Sequence, residues 1–225
     1  MTISILIPFR PDGSPERQRN FDWCVARWRA WLPDAELVIG DVGGERMSRA
    51  ASRNEAFERS SGEVIILGDA DTVATHVRQI ITALNSLNGR RVWIFPFRRY
   101  ALSTKIGAET ICSQDPSAEL DRLRMTGCVE GYFTSPTSGI WIMQREAWMA
   151  AGGFEESFGE RWSFDDDWWR DCLNARWGKM ERVDGDVIHL WHEPSHPLNR
   201  MLKSPDSLEN RAIYDQLKAK LRAAG

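Results

Sequence analysis

Two aspartates at the end of an apolar run are the residues in this chain best placed to do chemistry. The run Val64-Ile65-Ile66-Leu67 is short and rich in β-branched residues, which predicts a buried strand, and Asp69 and Asp71 follow it. Extended backbone repeats every two residues, so both carboxylates can leave on one side. Converging carboxylates repel unless a cation or a proton lies between them, and Mg²⁺ or Mn²⁺ often shares its ligands with a phosphate. The motif is short, and two solvated loop aspartates would match it equally well.

Further acids and two histidines form a second group of candidates. Asp165, Asp166 and Asp167 open a predicted helix, where negative charge stabilises the helix dipole even without a chemical role. His189 and His192 lie in the last predicted strand of the chain. On the residues alone, both are ordinary histidines near a strand end.

The first half of the chain alternates predicted strands and helices. The elements are strand 2–8, a helix from Ser14 to about Leu32, strand 36–39, helix 48–60, the strand before Asp69, helix 72–87 and strand 92–95. Such alternation predicts a parallel sheet with helices on both faces. Ligands of these sheets bind beyond the carboxyl ends of the strands, which would place Arg10, Asp41, Asp69 and Asp71 on one rim.

The second half is less regular. We predict a helix over 115–125, a loop over 127–138, strand 139–143, helix 145–151, a polar loop over 155–163, a helix from Asp165 to about Trp177, strand 187–192 and helix 206–223. The organisation expected is one domain over 1–200, with a nucleotide-binding half (1–97) and an acceptor-binding half (98–200), followed by a C-terminal helix over 201–225.

Size and composition narrow the class of protein. The 225 residues suffice for one large core, and the net charge of −3 gives no overall field for a nucleic-acid backbone. The four cysteines form no CxxC pair, which favours reduced thiols and a cytoplasmic location. No apolar stretch is long enough to span a membrane.

Several segments, in this order, resemble nucleotide-sugar glycosyltransferases of the GT-A fold, most closely the family 2, galactosyltransferase and polypeptide GalNAc-transferase groups. The segments are ILIPFR (5–10), RAASRN (49–54), DAD (69–71), GIWI (139–142), GGFEE (152–156), DDD (165–167) and HLWH (189–192). The resemblance implies an α/β fold with a mixed, mainly parallel Rossmann-like sheet flanked by helices in a single domain.

The resemblance also implies where a metal and a donor bind. Asp69, Asp71 and His189, with His192 as the alternative to His189, would hold Mn²⁺ or Mg²⁺. The nucleotide-sugar donor would contact Pro8, Phe9, Arg10, Asp41, Arg49, Asn54, Asp69 and Ala70. Arg53 and Asn54 could instead fasten their helix to the metal loop.

In inverting members of the family an acid at this helix start takes the proton of the acceptor hydroxyl. The family pattern has Glu-Asp followed by another acid, whereas Phe164 precedes the triplet here, so the register is open. We rank Asp166 first, Asp165 second and Asp167 third. Aromatic rings stack on sugars, and Trp162 with one of Trp168 and Trp169 would form the acceptor platform.

The function expected from the resemblance is transfer of a hexose from a UDP-sugar, with a GDP-sugar second, to an acceptor hydroxyl with inversion. The acceptor would be a glycan or, as the weaker alternative, a hydroxylated base in DNA. A nucleotidyltransferase is the rival enzyme, although the Gly-rich basic loop typical of that class is poor here. A non-catalytic sugar- or nucleotide-binding module is the third option, which the acidic helix start disfavours.

Overall fold

A six-stranded sheet forms the centre of the molecule. The structure is a computed structural model that describes residues 1–120, 127–134, 136–159, 164–193 and 205–223. In spatial order the strands are β2 (Glu36–Gly40), β1 (Ile3–Pro8), β3 (Val64–Gly68), β8 (Ile140–Gln144), β5 (Trp93–Phe95) and β9 (Met180–Arg182). The β1–β2, β1–β3 and β5–β9 pairs are parallel, whereas β8 is antiparallel to both of its neighbours. The sheet is therefore mixed and mainly parallel, as predicted.

A smaller sheet of four strands contains the strand that ends at His189. Its order is β4 (Thr72–Ala74), β10 (Asp186–His189), β6 (Arg99–Ser103) and β7 (Val129–Thr134). Strand β10 runs antiparallel to β4 with His189 opposite Thr72. This register brings the end of β10 to the residue that follows Asp71.

Helices flank the sheets in a single domain. They are α1 (Pro15–Trp31), α2 (Arg49–Arg59), α3 (Val77–Ser86), α4 (Lys105–Cys112), α5 (Arg145–Ala151), α6 (Asp165–Arg176) and α7 (Pro205–Ala223), with a 3-10 turn at Glu156–Phe158. Ser14 and Ser48 cap α1 and α2 by accepting a hydrogen bond from a backbone N–H of the first turn. Among these helices, none is both long and apolar enough to cross a membrane.

The core lies between the central sheet and its helices. Strands β3 and β8 are buried along almost their whole length, which explains their continuous apolar sequence. Trp93 of β5 stacks on Trp141 of β8 with ring centroids 5.2 Å apart. The abundance of tryptophan therefore reflects, in part, the packing of this core.

Several predicted elements are wrong. The predicted helix over 72–87 is β4 followed by the shorter α3, and the predicted loop over 127–138 contains β7. The predicted helix over 115–125 is not helical over 115–120, because Asp115 accepts hydrogen bonds from the backbone N–H and hydroxyl of Ser117 and forms a turn. Its remainder, 121–125, lies outside the described residues. Three elements that the sequence did not suggest, β6, α4 and β9, complete the fold.

Strand β8 also changes the predicted sheet. The expected parallel run from β3 to β5 is interrupted, because β8 lies between them and pairs with both. Its residues enter from far along the chain, so the alternation of the first half could not reveal the insertion.

Gly40, at the end of β2, is where helix α2 approaches the sheet most closely. A Cβ there would lie 1.9 Å from the backbone oxygen of Ser52. We expect Gly40→Ala to push α2 outward and to lower the free energy of unfolding by roughly 2 kcal/mol. Urea denaturation measures this, with Gly131→Ala as the control, since a Cβ at Gly131 meets no atom within 4 Å. Equal stability of the two variants would contradict the close approach.

Candidate active site

The loop after β3 is held to two other strands of the fold. The Asp69 backbone N–H donates to the Gly139 oxygen just before β8, at 3.2 Å, and the Leu190 N–H after β10 donates to the Asp71 oxygen at 2.7 Å. The second hydrogen bond brings the segment 189–192, which contains both histidines, beside Asp71. The predicted rim at the carboxyl end of β3 is thus completed by a strand of the smaller sheet.

Asp71 and both histidines form one cluster. Nε2 of His189 lies 3.5 Å from Asp71 Oδ1, and Nε2 of His192 lies 3.3 Å from Asp71 Oδ2. One ligand atom from each of the three residues falls within 4.8 Å of the others. From the sequence His189 and His192 are alternatives, whereas the structure pairs both of them with the Asp71 carboxylate.

The charges within this cluster favour an ionised carboxylate. Burial alone would raise the pKa of Asp71, but His189 and His192 outweigh it and lower the pKa to about 2. The hydrogen bond to Asp71 in turn raises the pKa of His192. A carboxylate oxygen and two imidazole nitrogens are a donor set that suits a divalent first-row metal ion.

Arg53 joins the other aspartate of the loop to the acidic helix start. Its side chain is 2% exposed. Nη2 donates to Asp69 Oδ1 at 3.0 Å, while Nη1 donates to Asp166 Oδ1 at 2.8 Å and to Asp165 Oδ2 at 3.3 Å. One buried guanidinium therefore holds three carboxylates from α6 and the β3 loop. The Asp69 loop and the α6 acids, predicted from distant parts of the sequence, lie on one face.

These buried charges shift one another's ionisation. Burial raises the pKa of Asp166 to about 7, with Arg53 opposing the rise and Asp165 and Asp69 adding to it. Burial likewise raises the pKa of Asp69 against the opposing charge of Arg53. Burial would lower the pKa of Arg53, but the surrounding carboxylates outweigh it and raise that pKa above its ordinary value. The guanidinium is a permanent cation in this cluster.

Arg49 and Asn54 take different places on α2. Arg49 remains part-exposed and donates from Nη2 to Asp165 Oδ1 at 2.7 Å. Asn54 donates to the Phe154 oxygen and accepts from the Phe154 N–H, at 2.9 and 2.8 Å. Arg53 thus fastens α2 to the loop after β3. Asn54 instead fastens α2 to the segment after α5.

The residues predicted to contact the nucleoside lie in two different environments. Arg10 donates from Nε to Asp41 Oδ1 at 2.5 Å and from Nη1 to the Gly44 oxygen at 3.0 Å, so the two loops at the ends of β1 and β2 meet. Phe9 is buried and stacks on Phe21 at 3.9 Å between ring centroids, and Pro8 is buried as well. The Phe9 side chain therefore belongs to the core, and a ligand would contact only Arg10, Asp41 and neighbouring backbone. Ala70, between the two aspartates, is part-exposed.

The acceptor platform predicted from the tryptophans is wrong for the Trp168/Trp169 pair. Trp169 is 0% exposed, because it packs between Trp148 and Phe154 at 4.9 and 4.6 Å between ring centroids. Trp168 is 7% exposed and lies in the same core. Neither ring offers a face on which a sugar could stack. Trp162 lies outside the described residues.

The importance of Arg53 was only partly visible in the sequence. Its place before Asn54 suggested a fastening role, but one of three arginines in a polar helix gives no sign in the sequence that it is buried among three acids. The convergence of His189 and His192 was equally hidden, because residues three apart reach one carboxylate only if the chain bends after β10.

Comparisons with solved structures identify the fold. The structure of GalNAc-T7 with UDP, GalNAc and Mn²⁺ matches with a TM-score of 0.56 and 13% identity, over 96% of this chain and 50% of that chain. The catalytic domain of Drosophila β1,4-galactosyltransferase 7 in complex with xylobiose matches with a TM-score of 0.50 and 13% identity, over 90% of this chain and 78% of that one. The crystal structure of a mycobacterial protein matches with a TM-score of 0.52 and 12% identity, over 89% of this chain and 70% of that chain.

At these identities the similarity establishes the fold alone, which is that of the GT-A glycosyltransferases, as the motifs predicted. No protein-family model matches the sequence, and the curated proteins give no significant match.

Removing the Arg53 charge should destabilise the protein strongly. Arg53→Met leaves three carboxylates without their buried cation, and we expect a loss of about 3 kcal/mol in the free energy of unfolding at neutral pH. Arg59→Met is the control, because Arg59 lies on the same helix but its pair with Glu55 is at the surface. That control should change stability by less than about 1 kcal/mol.

Chemical denaturation of both variants without added metal provides the measurement. If Arg53→Met and Arg59→Met lower the free energy of unfolding by the same amount, Arg53 does not organise the cluster of carboxylates.

Proposed function

We propose that this protein is a metal-dependent glycosyltransferase that moves a hexose from a UDP-sugar to an acceptor hydroxyl with inversion. The observation that carries the proposal is the bond network of Arg53, which sets Asp69 beside Asp166. A donor diphosphate held at the β3 loop would then lie next to a carboxyl group able to take a proton. The GT-A fold makes this assignment more plausible than nucleotidyl transfer or simple binding.

The metal would be held by Asp71, His189 and His192. Asp71 is ionised and directed at both imidazoles, so the donor set is assembled in advance. When bound, a divalent ion there supplies Lewis-acid stabilisation of negative charge on the departing diphosphate. Imidazole nitrogen suits Mn²⁺ better than Mg²⁺, which prefers an all-oxygen shell, so we propose Mn²⁺ as the preferred ion. The GalNAc-T7 structure with the same fold contains Mn²⁺ and UDP, which supports this choice.

Asp69 has a different part in this proposal from the one the motif implied. Its Oδ1 accepts a hydrogen bond from Arg53, and it stands outside the Asp71–histidine cluster. We infer that Asp69 orients the loop and contributes to donor binding, while Asp71 is the direct metal ligand.

Asp166 is the proposed general base. Its side chain is 15% exposed, against 5% for Asp165, and Asp165 is bound by both Arg49 and Arg53. Asp167 pairs with Arg170 of the same helix, at 2.7 Å between Oδ1 and Nη1. A carboxyl group whose pKa is raised to about 7 is a better proton acceptor than an ordinary aspartate, and it is still substantially ionised near neutral pH.

The proposed reaction is a single displacement. The acceptor oxygen forms a bond to the anomeric carbon while the bond from that carbon to the diphosphate oxygen breaks. The hydroxyl proton passes to the Asp166 carboxylate, and UDP leaves with the bonding electron pair. Attack opposite the leaving group inverts the anomeric centre.

Arg49 is the arginine best placed to contact the donor. It is 30% exposed at the side chain, whereas Arg53 is 2% exposed and donates from both terminal nitrogens to acids. A guanidinium provides forked donors that match phosphate oxygens. Arg10 and Asp41, joined across the ends of β1 and β2, would face the nucleoside.

A glycan is the acceptor we propose. The Drosophila β1,4-galactosyltransferase 7 structure, which has the same fold, contains xylobiose, and this supports a saccharide acceptor. The net charge of −3 gives no support for DNA as the alternative.

Loss of one proposed metal ligand should strongly weaken Mn²⁺ binding. We expect Asp71→Asn and His192→Ala each to weaken the Mn²⁺ affinity at least 100-fold in isothermal titration calorimetry, because each removes one of three protein donors. His76→Ala is the matched control, since His76 pairs with Glu119 at the surface. The wild type should bind Mn²⁺ more tightly than Mg²⁺, and the opposite order would contradict the assigned donor set.

Replacing the proposed base should affect turnover and not donor binding. Asp166→Asn is expected to lower kcat by about 10²- to 10⁴-fold, the usual contribution of a positioned base, with the affinity for UDP and Mn²⁺ unchanged. Asp167→Asn on the same helical turn should keep its rate. The assay uses UDP- and GDP-sugars with saccharide acceptors and follows the release of UDP or GDP.

Loss of rate in Asp167→Asn with a normal Asp166→Asn would assign the base to Asp167. Release of pyrophosphate from a nucleoside triphosphate, with no UDP from any sugar donor, would favour a nucleotidyltransferase instead.

A further inference from the structure

The C-terminal helix α7 packs against α6, the helix whose first turn carries the acids. Ser207, Asn210 and Tyr214 are buried at the spacing of one helical face. Ile213 and Leu217, on the same side of α7, are partly buried against the main core. Helix α7 is therefore a docked part of the domain, and it reaches the segment that leads into the Asp165–Asp167 triplet.

Phe164 starts helix α6 in an unusual backbone conformation. With φ of 66° it is the one non-glycine residue with positive φ in the part of the chain that the structure describes. No side chain caps the helix at this position. An L-residue in the left-handed region is strained and persists only where its surroundings hold it. Because Phe164 immediately precedes Asp165 and Asp166, its conformation sets the direction in which the first turn of α6 departs.

Two residues of α7 contact Phe164. The Tyr214 ring stacks on it with centroids 5.5 Å apart and planes 28° from parallel, and the Arg211 guanidinium carbon lies 5.4 Å from the centroid of the same ring. The Tyr214 hydroxyl donates to Asp171 Oδ2 at 2.9 Å, and Lys218 donates to the hydroxyl at 2.6 Å. Asp171 belongs to α6, so Tyr214 contacts the same helix through its ring at the start and through its hydroxyl further along.

We propose that Tyr214 is a positioning residue for the proton-accepting carboxylate: by stacking on Phe164 it keeps the first turn of α6 in the conformation that directs Asp165 and Asp166 at Arg53. This inference rests on the proposed function for its catalytic consequence. Within the part of the chain that the structure describes, Tyr214 contacts neither the Asp71–histidine cluster nor the Arg53 cluster. Its effect is transmitted through Phe164.

The test compares Tyr214→Leu with Tyr214→Phe, and Lys220→Ala serves as the control on the exposed side of α7. The leucine variant loses the flat ring, and we expect kcat to fall at least tenfold, with the donor KM and the Mn²⁺ affinity within twofold of wild type. The phenylalanine variant keeps the stack and should retain at least half of kcat. Lys220→Ala should match wild type.

Hydrogen exchange gives a readout that does not depend on activity. In Tyr214→Leu the backbone amides of 168–171, the first in α6 that have an acceptor within the helix, should exchange at least tenfold faster, while those of β10 stay protected as in wild type. In Tyr214→Phe both regions should keep their protection.

Wild-type protection of the amides of 168–171 in Tyr214→Leu would overturn the inference, and so would equal losses in kcat and Mn²⁺ affinity, which indicate general destabilisation. Equal defects in the leucine and phenylalanine variants would show that the hydroxyl, not the stack, is responsible. If the wild type transfers no sugar at all, the proposed function fails, while the exchange comparison still decides whether Tyr214 holds the helix start.

Discussion

The arrangement of this site depends on one buried cation shared among three carboxylates. Asp69, Asp165 and Asp166 come from segments almost 100 residues apart, and without a counter-charge their mutual repulsion would keep them separated or protonated. Arg53 is suited to the task because its planar fork can serve several carboxylates at once and keeps its proton under all ordinary conditions. Breaking such a buried network leaves charges unpaired in the interior, which is far more costly than losing a surface pair.

This network divides the two aspartates of the β3 loop between different partners. Asp69 faces the protein's own cation, whereas Asp71 faces the two histidines. A metal ion bound at Asp71 would therefore not compete with Arg53 for the same carboxylate. The pKa shifts of the two carboxyl groups are opposite, because burial raises the pKa of Asp69 more than Arg53 lowers it, whereas His189 and His192 outweigh burial and lower the pKa of Asp71.

Sequence reasoning succeeded where the information is local. The β1–α1–β2–α2–β3 order, the Ser14 cap and the acids at the start of α6 follow from periodicity and capping chemistry that a short window contains. The insertion of β8 and the whole smaller sheet depend on pairing between strands that are distant in sequence. A short stretch of sequence contains no information on such pairing. Trp169 illustrates the same limit, because charged residues flank the Trp168–Trp169 pair in sequence, while the rings that bury Trp169 come from α5 and the segment after it.

The most direct test of this account is the location of a metal ion in the protein. Anomalous diffraction at the manganese edge from crystals grown with Mn²⁺ and UDP would locate the ion without ambiguity. The account predicts one peak bounded by Asp71, His189 and His192, with the UDP diphosphate on it and with Arg53 still bound to Asp69 and Asp166. A peak elsewhere, or a nucleotide on the opposite side of the molecule from Asp166, would contradict it.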